Sequence, residues 1–337
     1  MNQQWRSFLT QQNLPSGDAI VPTDHDSLHD LGHYGLIRVS GSDNRDFLHR
    51  QFCNDVEKQS VDTARLNGWC DAKGRLLALF RVFIQGDGFL LRLPRELLES
   101  TIKRLQMYVL RSDVQLTDAS DDWARFGVCG PDAAKNLQSI TGQNSAANQV
   151  MPYKDALICA LPDTHIPQYE IHGPADTLKS LWTALSQNCA ISDASGWRAR
   201  RMVNGQPEIY TATQGEFLPQ HVNLDLLDGL DYNKGCYPGQ EIVARTHYLG
   251  RIKRRMHALS LAGRQVPQPG TGIVGQKGNN AGKVVDAAAL SDDQCIILAV
   301  LHESHLDEPL AISGMDHGPL QLQTSTKRSS DGLSSRV

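Results

Sequence analysis

The chain has 337 residues, enough for two or three units that each bury a core. Its formal charge is −4, with 33 Lys and Arg against 37 Asp and Glu, so net charge gives no attraction to nucleic acid or to a membrane surface, and any such contact must be a local patch. The seven cysteines are scattered, odd in number and never spaced C-x-x-C, which excludes a sequence-local zinc or iron–sulfur motif and points to a reducing compartment. No apolar window has signal-peptide or membrane-span length, and a cytoplasmic location is expected.

Residues 1 to about 30 mix Pro, Asp, His and Gln and read as a loose lead-in. Tyr34 to Val39 reads as a strand ended by Ser40-Gly41, and Ser42 can cap a helix over Asp43 to Val56 with Phe47, Leu48 and Phe52 on one face. Leu66 to Trp69 is a short strand, Asp71 to Arg75 a turn, and Leu76 to Ile84 a strongly apolar strand that Gly86-Asp87-Gly88 turns back into Phe89 to Leu93. Pro94 then opens a helix with Leu98, Ile102, Leu105 and Val109 at helical spacing.

A repeat follows. Arg125 to Cys129 is a strand ending in Gly130-Pro131 before a helix over Asp132 to Ile140, and Tyr169 to His172 is a strand ending in Gly173-Pro174 before a helix over Ala175 to Gln187. The strand ending at Ser40-Gly41 is an earlier copy of the same unit. Strand, glycine turn and amphipathic helix, repeated, predict an α+β chain of split β-α-β (ferredoxin-like) modules with antiparallel sheets. No glycine-rich dinucleotide fingerprint occurs at these junctions. Ser195 to Pro207 reads as a short helix stopped at Gly205, and Met256 to Gln323 alternates apolar residues with glycine turns, as in a small antiparallel β-barrel. The expected division is 20–120, 121–248 and 249–323, with a disordered serine-rich tail over 324–337.

The stretch with the most unusual chemistry is Lys234-Gly235-Cys236-Tyr237-Pro238-Gly239-Gln240-Glu241, which continues through the β-branched Ile242 and Val243 to Arg245. Two glycines and a proline force tight backbone geometry around a thiol, and Lys234 and Arg245 are cations that would favour its thiolate. A buried structural cysteine in a turn is the competing reading. Arg198, Arg200 and Arg201, and further on Arg251, Lys253, Arg254 and Arg255, form either an anion-receiving patch or a solvated charged face. His25, His29, His33 and His49 have no ligand spacing or acid–base pattern and read as surface residues.

Lys234 to Glu241, with Gly215 to Gln220, Asn223-Leu224, Val243 to Arg245 and Cys70 to Gly74, resembles the YgfZ family of folate-binding proteins, relatives of the glycine-cleavage T-protein aminomethyltransferase. The resemblance spans about residues 30 to 320. It implies three domains around a channel for tetrahydrofolate and a role in the assembly or repair of iron–sulfur enzymes, among them a tRNA-thiolating enzyme. The implied partners are folate and such client enzymes; no metal held by this chain alone and no direct nucleic-acid binding are expected. The implied reactive group is Cys236, with Lys234, Tyr237, Gln240 and Glu241 shaping its surroundings, and the implied folate contacts are Tyr34, Trp197, Asn223 and Arg245. A flat pterin or benzoyl ring would stack on the two aromatics. The basic residues, Arg245 among them, would receive either the polyglutamate tail of folate or RNA phosphates. Two positions depart from the family. Leu77 and Ala78 stand where the transferases carry an aspartate pair, which argues against aminomethyl transfer, and Val203 stands where relatives have a glutamate at the pterin edge, which implies either weaker folate binding or substitution by another acid such as Glu241 or Asp225.

Overall fold

The structure, a computed structural model, describes residues 2–12, 24–162, 166–248, 250–315 and 318–323. The stretch expected to be a loose lead-in carries a helix, α1 (Gln3–Gln11), and a strand, β1 (Ser27–Asp30). Asn2 caps α1 by accepting the Trp5 N–H at 3.1 Å, and Trp5 and Leu9 are buried among the aromatics of a later sheet and helix. Polar composition hid an apolar face of only three residues, Trp5, Phe8 and Leu9.

The first unit contains β2 (Tyr34–Ser40), α2 (Asn44–Gln51), β3 (Arg65–Cys70), β4 (Leu76–Gln85), β5 (Gly88–Pro94), α3 (Leu98–Gln106) and β6 (Gln115–Asp118). Its sheet is antiparallel, in the order β3-β4-β5-β2-β6. The second contains β7 (Ala124–Cys129), α4 (Ala133–Thr141), β8 (Val150–Tyr153), β9 (Ala156–Ala160), β10 (Gln168–Gly173), α5 (Ala175–Leu185) and β11 (Ala190–Ser192). Its sheet runs β11-β1-β7-β10-β9-β8, antiparallel except for the β1–β11 pair. Thus β1 lies inside the sequence range expected for the first unit but pairs within the second sheet. The predicted repeat is β2–α2, β7–α4 and β10–α5. At the first of these turns Gly41 has φ +103°, and a Cβ there would sit 2.1 Å from the Asp113 carbonyl oxygen, so only glycine fits.

Period-2 alternation gives each sheet two uses. One face of the first sheet, with Ile37, Val39, Phe80, Val82, Leu91 and Leu93, packs on Phe47, Leu48 and Phe52 of the α2 region and on Leu98 and Leu105 of α3. One face of the second, with Leu28, Phe126, Val128, Ile158 and Ile171, packs on α1, α4 and α5 through Trp5, Leu137, Leu178 and Trp182. The remaining faces meet each other through Leu36, Phe83 and Leu90 on one side and Val150 and Cys159 on the other.

The chain then forms α6 (Ala194–Val203), the Lys234–Glu241 loop and α7 (Gln240–Tyr248). The β-branched pair after the loop is therefore helical, and its Val243 is buried against the Gly74 turn. The third unit contains β12 (Arg254–Ala262), β13 (Gly272–Val274), β14 (Asn280–Ser291), β15 (Gln294–His302), β16 (Ala311–Ile312) and β17 (Gln321–Leu322). It is a curled antiparallel sheet in the order β16-β13-β14-β15-β12-β17, the barrel-like element expected from the glycine turns, with short end strands that do not pair with each other. Val284, Ile297 and Leu301 fill its own core, while Val285, Ile296 and Leu298 join the core of the first unit. The expected tail over 324–337 lies outside the described residues. No helix among the described residues is long and apolar enough to cross a membrane.

Candidate functional site

The facing surfaces of the first two sheets carry charges inside otherwise apolar strands. Arg81 on β4 and Arg92 on β5 are register partners, each almost completely buried, and two like charges placed so are tolerable only with anions between or beside them. The anions come from elsewhere in the chain. Arg92 pairs with Glu170 of β10 at 3.0 Å and with Glu208, which follows α6, at 2.5 Å. Arg201 of α6 lies 3.9 Å from Glu208 and also pairs with Asp286 of β14, as does Arg198. The Tyr210 hydroxyl donates to Asp286 at 3.0 Å. All three units therefore meet at one buried ionic junction.

Burial opposes the ionised form of each acid here, and the neighbouring guanidinium groups win. Glu170 is held at about 2, because Arg92 and the His172 ring outweigh desolvation, and Glu208 is likewise lowered by Arg201 and Arg92. Arg81 has no carboxylate within ion-pair distance among the described residues; it donates to the Ala64 carbonyl at 3.1 Å, to Asn148 Oδ1 at 2.9 Å and to Gln206 Oε1 at 3.4 Å, and burial lowers it to about 10.

Tyr34 and Trp197 are brought together at this junction. Trp197 Nε1 donates to the Tyr34 hydroxyl at 3.3 Å, and both residues are fully buried. The Arg92 guanidinium lies 4.1 Å from the Tyr34 ring centroid, and the His33 ring centroid is also 4.1 Å away. The Tyr34 ring thus already has a cation and an imidazole as its neighbours. Burial raises the Tyr34 hydroxyl and lowers His33 to about 4, so both are neutral at pH 7. Beside this junction, Ser195, Arg198, Arg264, Val266 and Ala287 to Ala289 line a cleft of about 200 Å³ between α6 and the third unit.

The Lys234–Glu241 loop forms a second centre. Among the described residues no hydrogen bond or ion pair joins Cys236 to Tyr34 or Trp197. Cys236 is the one exposed cysteine; the other six are buried. Lys234 turns inward. Its ammonium donates to the carbonyls of His49 and Phe52 at the C-terminal end of α2, where the helix dipole favours a cation, and it lies 5.1 Å from the Tyr237 ring centroid. Tyr237 is buried and Gln240 donates to the Lys234 carbonyl at 3.4 Å. Glu241 and Arg245 stand exposed on α7. Asn223, at φ +60°, donates through Nδ2 to the Met256 carbonyl at 2.9 Å and has a buried Oδ1 without a hydrogen bond. The loop is tied to the hairpin turn after β3. Gly239 has φ +81°, and a Cβ on it would lie 2.4–2.5 Å from backbone atoms of Asp71 and Gly74.

Lys234 gives a pH test. Burial lowers it to about 8 from 10.5, so between those values the unfolded chain binds the proton that the folded chain has released, and stability from this group rises with pH across that window. Lys234→Met is expected to remove this rise, a difference on the order of 1–2 kcal/mol between wild-type and variant curves, read by urea unfolding from neutral to alkaline pH. Parallel curves would sink the assignment.

Several expectations are corrected. His29 is fully buried, His33 has both ring nitrogens buried and His49 is 9% exposed; only His25 of the four is at the surface. Their place between packed sheets or beneath the loop depends on contacts distant in sequence. Arg200 and Arg201 are interior, each 1% exposed, so neither belongs to a solvated face. Of the acids considered as substitutes at the pterin edge, Asp225 is clamped by Arg255 at 2.6 and 2.8 Å, and Glu241 is exposed. The acids at the Tyr34 junction are Glu170 and Glu208, which sequence reading missed. The signal available for Glu170, Arg81 and Arg92 is a lone charge within an apolar strand.

The GCVT N-terminal domain family matches residues 23–226. A Serratia proteamaculans protein named tRNA-modifying protein YgfZ is 31% identical over 315 residues, covering 91% of this chain and 93% of that protein. A Klebsiella pneumoniae protein of the same name is 29% identical over 312 residues, covering 92% and 94%. The crystal structure of glycine cleavage system aminomethyltransferase T from Bartonella henselae superposes with a TM-score of 0.70 at 16% identity, covering 90% of this chain and 86% of that one, which shows a shared fold. The chain belongs to the GCVT N-terminal domain family and, within it, to the YgfZ-type tRNA-modifying proteins.

Proposed function

We propose that the protein is a tetrahydrofolate-binding accessory factor for the assembly or repair of iron–sulfur enzymes in the cytoplasm, with tRNA thiolation as a dependent process. The observation that carries this reading is the set of buried polar atoms left without hydrogen bonds at the Tyr34–Trp197 junction: both ring nitrogens of His33 and the Nε atoms of Arg198 and Arg201. Buried donors and acceptors of this kind cost free energy unless a ligand meets them. They fit a folate in chemical type. Arg198 and Arg201 would face its acidic or carbonyl groups, Glu208 would accept its N–H groups, and Trp197 would bound the ring system. Bound tetrahydrofolate supplies a carrier for one-carbon units or a reductant. Cys236, exposed at the loop, is the group placed to meet a client protein.

Calorimetric titration of tetrahydrofolate into wild-type, Trp197→Phe and Cys236→Ala proteins tests this. Binding is expected to weaken at least tenfold in Trp197→Phe and to stay unchanged in Cys236→Ala, while Cys236→Ala fails to support iron–sulfur-dependent tRNA thiolation in cells. Absence of wild-type binding at physiological folate concentrations would overturn the reading. A one-carbon transferase would need proton-bearing groups at Leu77 and Ala78, which are buried apolar residues of β4, and no turnover with an aminomethyl donor is expected.

A further inference from the structure

We propose that His49, Asp55 and Glu57 bind a divalent transition metal of the zinc class, in a site beside the Lys234–Glu241 loop. His49 is in the last turn of α2, and Asp55 and Glu57 follow in the turn after it. The Asp55 carboxylate shapes that turn by accepting the backbone N–H of Glu57 at 2.9 Å through Oδ1. His49 Nδ1 is buried, has no hydrogen bond, and lies 3.3 Å from the same Asp55 Oδ1. A ring nitrogen of His49, an Asp55 oxygen and a Glu57 oxygen all fall within 4.8 Å of one another.

The 3.3 Å between His49 Nδ1 and Asp55 Oδ1 is the spacing of two tetrahedral ligands, and Glu57, an exposed residue, closes onto the ion from within 4.8 Å. Ligand atoms at about 2.05 Å from a tetrahedral metal are about 3.3 Å apart, whereas adjacent ligands of an octahedron are only about 2.9–3.0 Å apart. A ring nitrogen facing a carboxylate oxygen at this distance is met by either a proton or a metal cation between them, and only a metal would draw in the Glu57 carboxylate as well. Asp55, Glu57 and Asp231 are three acids beside three cations: Lys58, the inward-turned Lys234, and Arg45, whose guanidinium donates to the carbonyls of Val56, Glu57 and Gln59. The Lys58 ammonium lies 3.0 Å from Asp55 Oδ2 and 3.0 Å from Asp231 Oδ2. Lys58 thus holds the outer oxygen of Asp55 and leaves Oδ1 turned toward His49, as outer partners do for metal-ligating carboxylates.

One imidazole and two carboxylates make a three-ligand set with a position left open, the arrangement of exchangeable zinc sites. The loop bounds the site on one side: His49 Nε2 is 3.3 Å from where a Cβ on Gly235 would lie, and the next residue is the exposed Cys236. The sequence spacing of the three ligands matches no familiar motif, so only the fold reveals the set.

The test uses the full-length protein, with Zn²⁺ followed by calorimetry and Co²⁺ by visible absorption. One equivalent of Co²⁺ with a tetrahedral ligand-field spectrum, displaced by Zn²⁺, is expected. Affinity should fall at least tenfold in Glu57→Gln and in His49→Gln, and stay unchanged in Arg50→Gln, an exposed neighbour paired with Asp46. Glu57 is exposed, so its substitution tests the site even where His49→Gln unfolds. Sub-stoichiometric binding, an octahedral Co²⁺ spectrum, or unchanged affinity in Glu57→Gln would overturn the proposal.

Discussion

Arg92→Met is expected to destabilise the protein by about 3–5 kcal/mol at neutral pH. The guanidinium is 4% exposed and serves two carboxylates from different parts of the chain, Glu170 and Glu208, so its removal leaves both acids buried with weaker compensation. Glu208 keeps Arg201 at 3.9 Å, and Glu170 keeps the His172 ring at 3.3 Å, but His172 is itself pushed by burial toward its neutral form. In the wild-type protein Glu170 ionises at about 2, against 4.5 in the absence of its surroundings. A depressed acid contributes stability that is present above its unfolded value and is lost as pH falls from about 4.5 toward 2. In the variant burial is opposed far less, so Glu170 shifts upward and its protonation relieves part of the deficit. Urea unfolding at about pH 7 and pH 4 should show a smaller difference between the two proteins in acid. Adding Glu170→Gln and Glu208→Gln should recover much of the loss, because the cost lies in unpaired buried charge. Equal deficits at both pH values, or a loss below about 1 kcal/mol, would show that the junction is not held by these pairs.

This junction also marks where sequence reading stops. The strand–glycine–helix repeat is legible because each step is local: an apolar run, a glycine such as Gly41 that the turn requires, and an amphipathic helix. The curled third sheet is legible from alternation, since neighbours such as Val284 and Val285, or Ile297 and Leu298, face opposite cores. Helix α1 is not, because a single turn of apolar residues in a polar segment gains its stability from Phe126 and Trp182, which lie far along the chain. The same holds at the site. Family resemblance selects Tyr34 and Trp197, and the structure joins them by a hydrogen bond, but their charged surroundings are assembled from β5, β10, α6 and β14. Proximity in sequence suggests that Lys234 acts on Cys236, and local spacing cannot show that the Lys234 ammonium is committed to the end of α2.

Gly127→Ala tests the placement of Trp197 with the other large effect, a loss of about 3 kcal/mol. Gly127 is the point on β7 where the indole rests on the sheet, and a Cβ there would lie 2.4, 2.5 and 2.9 Å from three ring carbons of Trp197. Those distances are well inside van der Waals contact. The ring is fully buried and is held at its other end by the bond to the Tyr34 hydroxyl, so it cannot swing aside without breaking that bond or moving α6. Displacing α6 would in turn strain Arg198 and Arg201 against Asp286, which links the clash to the ionic junction. A smaller ring should absorb the added methyl group. Trp197→Phe alone leaves a cavity and a Tyr34 hydroxyl without its donor, at about 1–3 kcal/mol, yet the double variant Gly127→Ala with Trp197→Phe should be less destabilised than the sum of the two. A coupling of about 1 kcal/mol or more in that direction, measured by denaturant unfolding of all four proteins, is the expected result; strict additivity would mean that Trp197 does not rest on Gly127 in solution.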